Sequence, residues 1–266
     1  MTSSLVGSEM CIRDRVLPYV QLVKAIPDLE VILKGVLRRE LDFIQLDPYA
    51  NAFNETISGA HWCDADETNI QVSPQVWERK FEIDTLCAPL LLALRLFAET
   101  GDATIFDTDF WTTLAVIVDV FEQEQHHEHS PYFFRRPNTA SNDTLPHQGY
   151  GSPVAVTGLI WDGFRPSDNR CEHGYHIPAN LLAKTVLTSL LPYIPENRQA
   201  LAIRVKTLVA AISQGITEYG IQTLPSGERG FAYEVDGLGH ACFMDDANVP
   251  SLLSLPCLLY TSPSPR

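Results

Sequence analysis

Basic residues are scarce in this sequence. Its 266 residues carry 19 Lys and Arg against 33 Asp and Glu, which gives a formal net charge of -14. Proteins that bind nucleic acid or an anionic membrane surface need an excess of Lys and Arg. The composition therefore predicts that neither nucleic acid nor a membrane is a partner.

Long apolar runs are missing as well. No stretch of ~18 uncharged apolar residues occurs, which is the length that a bilayer-spanning helix needs. Hydrophobic residues nevertheless make up 45% of the chain and charged residues 20%, a balance typical of globular proteins. A chain of this length can bury a core in one large domain or in two small ones.

Motifs for cofactors and for covalent catalysis are also absent. The six cysteines are scattered without a C-x-x-C pair, and no phosphate-binding glycine pattern, nucleophile elbow or catalytic triad is readable. In the run Gln125–His129 the histidines are neighbours, whereas a zinc pair on a helix is spaced at i, i+4 with a distant third ligand. We interpret this run as a solvated helix end, and we expect no metal and no other cofactor.

Both chain ends look foreign to the rest. Residues 1–15 and 257–266 resemble translated sequencing-adapter read-through, and we expect them to be non-native tails. Residues 16–256 would then be the native segment, a fragment cut at both ends. The start shows no basic region followed by an apolar one, as a signal peptide would, so the sequence leaves localisation open.

Apolar residues at helical spacing, together with proline and glycine boundary signals, predict six helices. The predicted helices run from Val16 to Leu41, from Ser73–Pro74 to Thr100–Gly101, from Asp107 to Phe121, from Pro178 to Leu190, from Pro195 to Gly220, and onward from Asp246–Asn248. We find no strongly alternating strand pattern outside the connections. The fold class that fits is all-α, a partial (α/α)6 barrel built as a toroid of antiparallel helix pairs.

Three connections in this scheme are long, namely residues 42–72, 129–176 and 219–246. If successive helices run up and down, all three lie at one end of the molecule, where function usually resides. Together they hold ten of the fourteen net negative charges. Polar loops that merely make turns would also contain Asp and Asn, but three such segments at one end favour a site.

The composition of these segments is that of a carbohydrate site. Carboxylates and amides pair with vicinal hydroxyls, and flat rings such as Trp161 and Phe164 can pack on the C–H face of a sugar. Glycoside hydrolysis needs a carboxyl group that keeps its proton near neutral pH. Asp168 is our first candidate for this acid. An Arg165-paired structural aspartate or a turn cap fits the same residues about equally well.

Five motifs lie in order along the native segment, namely Asp47–Phe53, Lys80–Asp84, Gly163–Asp168, Ile177–Asn180 and Met244–Pro256. With these motifs the chain resembles glycoside hydrolase family 125, the metal-independent exo-α-1,6-mannosidases. The resemblance implies an (α/α)6 barrel that removes terminal α-1,6-linked mannose from oligosaccharides with inversion and without a metal. It makes Asp168 the general acid, although position 169 is Asn where members commonly have a second Asp.

The resemblance also implies a pocket for a mannose-containing substrate. Residues expected to line or support this pocket are Asp47, Asn51, Glu82, Asp84, Arg165, Glu234, Asp236, Asp245 and Asp246. An arginine-aspartate motif of the family, expected before the first helix, is replaced here by the adapter-like stretch, and the general base is expected in a His-Glu motif beyond residue 256. We therefore expect the chain by itself to be inactive and poorly folded.

Two other classes remain open on sequence grounds. One is a different toroid enzyme acting on carbohydrate, such as a polysaccharide lyase or a glucan-trimming hydrolase. A lyase should present Tyr, His and basic residues to an anionic substrate, and segment 42–72, with six acids and no Lys or Arg, argues against it. The other is a non-catalytic sugar-binding scaffold, which would need no second carboxylate.

Overall fold

A computed structural model describes residues 16–259. The predicted tail 1–15 and residues 260–266 of the predicted tail 257–266 lie outside this range. The α-helices are α1 (Pro27–Leu46), α2 (Ile83–Thr100), α3 (Thr108–Glu124), α4 (Ile177–Leu190), α5 (Gln199–Gly215) and α6 (Leu255–Leu259). A 3-10 helix at Leu17–Leu22 precedes α1.

The helices contact one another in a cycle. Helix α1 packs on α2, α2 on α4, α4 on α5, α5 on α3, and α3 on α1. The first residues of α2 and of α4 are buried on every side, as expected for helices in the interior of a helical layer. The fold is therefore helix-rich, and its packing is compatible with an α/α toroid.

Three boundaries of the predicted helices are explained or shifted by the structure. Asp107 caps α3 by accepting a hydrogen bond from Phe110 N at 2.9 Å. Gly101 ends α2 with φ of 72°, a left-handed conformation that favours glycine. The predicted first helix is divided at Ile26, because the residue before a proline is driven to extended backbone.

Two predicted helix starts are wrong. Residues Val76–Glu78 form a strand, and α2 begins only at Ile83, so Ser73–Pro74 is not its start. No regular helix begins at Asp246–Asn248 among the described residues; α6 starts at Leu255. In both places buried apolar side chains come from extended or turn backbone rather than from a helix.

Short strands lie within the long connections. They are β1 (Ala52–Phe53), β2 (Glu67–Thr68), β3 (Val76–Glu78), β4 (Phe134–Arg135), β5 (Tyr175–His176), β6 (Ile221–Thr223), β7 (Arg229–Phe231), β8 (Glu234–Val235) and β9 (Ala241–Cys242). All pairings are antiparallel: β1 with β3, β2 with β4, β6 with β7, and β8 between β5 and β9. These pairings fix the long connections against one another and against the helices.

The segment Glu196–Gly220 is long and apolar enough to cross a membrane by length and composition alone. In the structure α5 buries one stripe, which includes Leu201, Val205, Leu208 and Ile212. It packs on α4 and α3 through this stripe, while Arg204 on another face pairs with acids of α3. This one-sided burial is typical of a core helix in a globular protein.

Candidate active site

Asp168 lies at a tight turn between β4 and α4. Its backbone N–H donates to Arg165 O at 2.9 Å, and Arg165 N donates to Asn169 O at 2.7 Å. Asp168 has a φ of 63°, in the left-handed region that non-glycine residues seldom adopt. Such conformations cluster at functional sites, where the surrounding structure holds them in place.

Asn51 and Lys80, which lie on either side of strand β3 in the sequence, hydrogen-bond to Asp168. Asn51 Nδ2 donates to Asp168 Oδ1 at 3.2 Å, and Lys80 Nζ donates to the Asp168 carbonyl oxygen at 3.1 Å. Asn51 Oδ1 meanwhile accepts from Lys80 N at 3.1 Å. Because this bond fixes which end of the amide is the oxygen, the nitrogen must face Asp168. The Asp168 carboxyl is thus oriented by a donor whose own orientation is set.

The environment of Asp168 favours its protonated form. Burial among protein groups raises the pKa of Asp168 above its usual value, even though the side chain still reaches solvent. Lys80 opposes this rise, Glu78 and Asp143 add to it, and Arg136 again opposes it. A carboxyl group with this balance and with access to solvent can deliver a proton to a bound molecule.

The third long segment contacts the Asp168 turn through Glu234, which binds Arg165. Arg165 Nε donates to Glu234 Oε1 at 2.5 Å, and Glu234 is fully buried. The other carboxylate oxygen of Glu234 accepts from Glu172 N at 2.9 Å and from His173 N at 3.1 Å. Arg165 is therefore engaged by Glu234, and no ion pair between Arg165 and Asp168 is present in the described part of the chain.

Asp246 is a further acid at this junction. Burial would raise the pKa of Asp246, but hydrogen bonds from Asn248 and from Ser167, together with the charge of Arg165, lower it. Asp246 accepts from both the backbone and the side-chain nitrogen of Asn248 at 3.1 Å. The structure thus brings Asn51, Arg165, Asp168, Glu234 and Asp246 together from all three long segments.

Beneath Asp168 lies a buried acidic cluster. Glu82 and Asp84 are 2% and 0% exposed, and Asp162 is 0% exposed. Burial raises the pKa of Glu82 well above its usual value, and the charges of Asp84, Asp168 and Asp162 raise it further. Burial likewise lowers the pKa of the neighbouring His176 to about 3, so this imidazole is neutral near pH 7. Burial thus favours the protonated forms of Glu82 and Asp162 and the neutral form of His176.

Three predicted site residues make contacts of a supporting kind. Asp47 Oδ2 accepts from Arg79 Nε at 2.7 Å within a buried ion pair. Asp236 pairs with His240 at 2.6 Å. The two carboxylate oxygens of Asp245 accept from Leu252 N and Leu253 N at 2.8 and 2.9 Å. These contacts tie the loops together and do not involve Asp168.

The sequence predicted that aromatic rings of the second long segment would face a sugar, but the structure buries them. Trp161 and Phe164 are 1% and 0% exposed, so they cannot pack on a sugar. Trp161 stacks on His127 with ring centroids 3.5 Å apart. Gly174, at φ of 76°, leaves room for this indole: a Cβ there would lie 2.9 Å from it. The large rings of this segment serve the core.

The run Gln125–His129 is only partly exposed to solvent. His127 is 9% exposed, and its Nδ1 lies 2.6 Å from Glu124 Oε2, which corrects the interpretation of the whole run as a solvated helix end. His126 and His129 are exposed as expected. Within residues 16–259 no group of three or more His, Cys, Asp or Glu is arranged to hold a metal ion.

Five charged residues of the ion-pair network beside Asp168 are missing from the predicted site residues. Arg136 donates to Asp66 at 2.6 Å, to Glu78 at 2.7 Å and to Asp143 at 2.9 Å, and Lys80 donates to the same Asp143 at 2.6 Å. A signal for Lys80 is present in the sequence, because Arg79 and Lys80 are the first basic residues after Arg39. No comparable signal marks Arg136, whose partners are distant in the chain.

Two known proteins are similar to this chain over most of its length. The Meiotically up-regulated gene 157 protein of Schizosaccharomyces pombe is 34% identical over 261 residues, which are 92% of this chain and 51% of that protein. A solved Streptococcus pneumoniae structure matches with a TM-score of 0.92 at 37% identity, covering 97% of this chain and 61% of that one. It is described as a metal-independent α-mannosidase in a non-productive complex with α-1,6-mannobiose, from work on the processing of N-linked glycans.

The chain thus spans about half the length of the curated relative and about three-fifths of the solved one. The family model described as metal-independent alpha-mannosidase matches residues 10–266, which is nearly the whole chain. The chain belongs to glycoside hydrolase family 125, the metal-independent α-mannosidases.

Proposed function

We propose that this chain is part of an inverting exo-α-1,6-mannosidase that removes terminal mannose without a metal, with Asp168 as general acid. The observation that carries the proposal is the Asp168 carboxyl itself. It is oriented by Asn51, faces solvent, and sits in surroundings that raise its pKa. The mannose-containing substrate is supported by the solved relative, which was captured with α-1,6-mannobiose.

The reaction needs a proton and a water molecule on opposite sides of the sugar. Asp168 gives its proton to the glycosidic oxygen while the bond from that oxygen to the anomeric carbon breaks. A second carboxylate removes a proton from water, whose oxygen attacks the same carbon from the other face, so the configuration inverts. We assign this base to no residue of the present sequence, and we place it beyond residue 256.

The remaining parts of the proposal concern the whole protein. We propose that residues 16–256 are a portion of an (α/α)6 barrel, and that residues 1–15 and 257–266 do not belong to it. Val31 and Ile32 on α1 are 74% and 58% exposed, and Ile203 on α5 is 55% exposed. Missing helices that covered such apolar side chains would stabilise the chain.

An assay of mannose release tests the proposal. The full-length protein that contains this sequence should release mannose from α-1,6-mannobiose with chelator present, and NMR of the fresh product should show the β-anomer. The 266-residue chain alone should release none. Mannose release by the chain alone would contradict the placement of the base, and a retained α-anomer would contradict inversion.

Removing the positive charge of Lys80 and removing the negative charge of Glu78 should shift the pH dependence of activity in opposite directions. Since the acid must be protonated, kcat/KM should fall as pH rises through the pKa of Asp168. Lys80 lowers this pKa and Glu78 raises it. Lys80→Met should therefore move the alkaline limb to higher pH, and Glu78→Gln should move it to lower pH.

The check is a pH profile of kcat/KM for the full-length variants. Lys80→Arg keeps the positive charge and is the matched control, with a limb close to that of the wild type. Shifts in the same direction for Lys80→Met and Glu78→Gln would show that these charges do not act on the acid.

A further inference from the structure

A cavity of about 510 Å³ lies beside the candidate active site, between the first long segment and β4. We call it the Trp77 cavity; its lining includes His61, Asp64, Gln71, Trp77 and Glu78. Asp168 is not part of the lining. The volume falls within the range of small-molecule sites, roughly 300–1,000 Å³. The cavity is therefore large enough for an organic ligand and is separate from the reacting carboxyl.

The cavity is nevertheless linked to Asp168 through two side chains. Glu78, which lines the cavity, accepts from Asn51 Nδ2 at 3.4 Å, and the same nitrogen donates to Asp168 Oδ1 at 3.2 Å. Lys80 Nζ lies 3.6 Å from Glu78 Oε1 and donates to the Asp168 carbonyl oxygen at 3.1 Å. Asn51 and Lys80 thus both connect the cavity wall to the acid. A chain of sugars with one end at Asp168 could extend a neighbouring unit toward this cavity.

The charge of the lining argues against an anionic ligand. Asp66 and Glu78 share Arg136 with Asp143, and Glu67 is paired with Arg135. Asp64 lines the cavity as a further acid, so these carboxylates would repel an anion. Their spare lone pairs can still accept hydrogen bonds from hydroxyl groups. This chemistry suits a neutral polyhydroxyl ligand.

The cavity also offers the aromatic surface that Trp161 and Phe164 do not. Trp77 is partly exposed within it, and Trp62 lies against Trp77 with ring centroids 6.4 Å apart at 63°. Trp62 is 63% exposed. An indole beside hydroxyl acceptors is the combination that binds a sugar ring, with its C–H face on the indole and its hydroxyls on the acceptors.

We propose that the Trp77 cavity binds a neutral hexose unit of the oligosaccharide substrate, beyond the two units that flank the cleaved bond. The identity of this unit as part of a mannoside rests on the proposed function; the neutral-sugar chemistry rests on the cavity. Substrates with a third sugar should then bind more tightly than a disaccharide. Trp77 and Gln71 would determine this preference for longer substrates.

NMR of the tryptophan indole N–H groups in the full-length protein that contains this sequence tests the proposal directly. The sequence has four tryptophans, and Trp111 and Trp161 are 3% and 1% exposed, so they are internal controls. Titration with a linear α-1,6-mannotriose should move the Trp77 and Trp62 signals and leave those of Trp111 and Trp161 in place. The trisaccharide should bind more tightly than α-1,6-mannobiose.

Variants of the lining test whether mannotriose binds in the Trp77 cavity or elsewhere on the surface. Trp77→Ala should weaken mannotriose binding about two- to tenfold. Gln71→Ala, at an exposed position, should weaken it in the same direction without disturbing the core. Tyr19→Ala removes a 51% exposed ring elsewhere and should bind as the wild type does. Equal binding by Trp77→Ala, Gln71→Ala and wild type would overturn the proposal.

Titrations with different ligands distinguish a failure of the cavity proposal from a failure of the proposed function. If a neutral glucose disaccharide moves the Trp77 signal while mannosides do not, and the full-length protein releases no mannose, the cavity binds sugars and the proposed exo-α-1,6-mannosidase function fails. If the full-length protein releases mannose while no sugar moves the Trp77 or Trp62 signals, the assignment stands and the cavity proposal fails. Movement of these signals by calcium chloride alone, without any response to sugars, would also overturn it.

Discussion

Replacing Asp168 by Asn should lower mannose release by the full-length protein at least ~100-fold, because proton transfer by a positioned acid contributes typically 10²–10⁴. Asn has nearly the same shape but carries no transferable carboxyl proton. The bond from Lys80 Nζ to the carbonyl oxygen of residue 168 does not depend on the side chain. Asn also tolerates the left-handed φ of 63° found here. The loss should therefore reflect chemistry and not folding.

Two measurements sharpen this expectation. An aryl mannoside whose phenol is a good leaving group needs little protonation, so Asp168→Asn should cost much less activity on it than on α-1,6-mannobiose. The thermal unfolding midpoint should stay at the wild-type value. Asp119→Asn is the matched control, since Asp119 is an exposed acid on α3 that pairs with Arg204. Normal activity of Asp168→Asn on the disaccharide would rule out the acid assignment.

The features of the site that sequence reasoning could predict are local in the chain. Asp107 as a helix cap and Gly101 as a helix end follow from preferences that act over a few residues. Asp168 as the candidate acid likewise rests on its neighbours in the chain, Arg165 and the aromatic residues of its loop, and stays a prediction. The structure adds what raises the pKa of Asp168, which is burial together with the charges of Glu78 and Asp143.

The features that escaped prediction depend on distant partners. Lys80 and Asp143 are 63 residues apart, and Asn51 and Asp168 are 117 apart, so no spacing rule links them. Trp161 illustrates the same limit for aromatic rings. Loop composition suggested a sugar platform, but the ring is buried against His127. Only tertiary packing decides which aromatic ring of a loop faces solvent.

Replacing Arg136 by Met should lower the free energy of unfolding of the full-length protein by about 3–5 kcal/mol, the usual cost of removing one partner from a buried ion pair. The Arg136 side chain is 4% exposed, and it holds Asp66 and Glu78, which are 14% and 10% exposed. Met has a similar volume, so packing is largely kept. The penalty should come from carboxylates that stay buried without their cation.

Urea unfolding measures the loss in free energy of unfolding for Arg136→Met and for the control Arg204→Met. Arg204 also bridges two acids, at 2.5 and 2.6 Å, but its side chain is 35% exposed. Exposed pairs contribute about 0–1 kcal/mol, so Arg204→Met should be nearly neutral. Equal losses for the two variants would show that burial does not set the cost.

Arg136 also connects stability to catalysis. Its charge lowers the pKa of Asp168, and its partner Glu78 forms part of both the Asp168 surroundings and the Trp77 cavity. In the full-length protein, Arg136→Met should therefore move the alkaline limb of kcat/KM to higher pH in addition to lowering stability. A stability loss without a shifted limb would mean that Arg136 supports the loops alone. Both effects together would show that one buried guanidinium fixes the first long segment and sets the protonation of the acid.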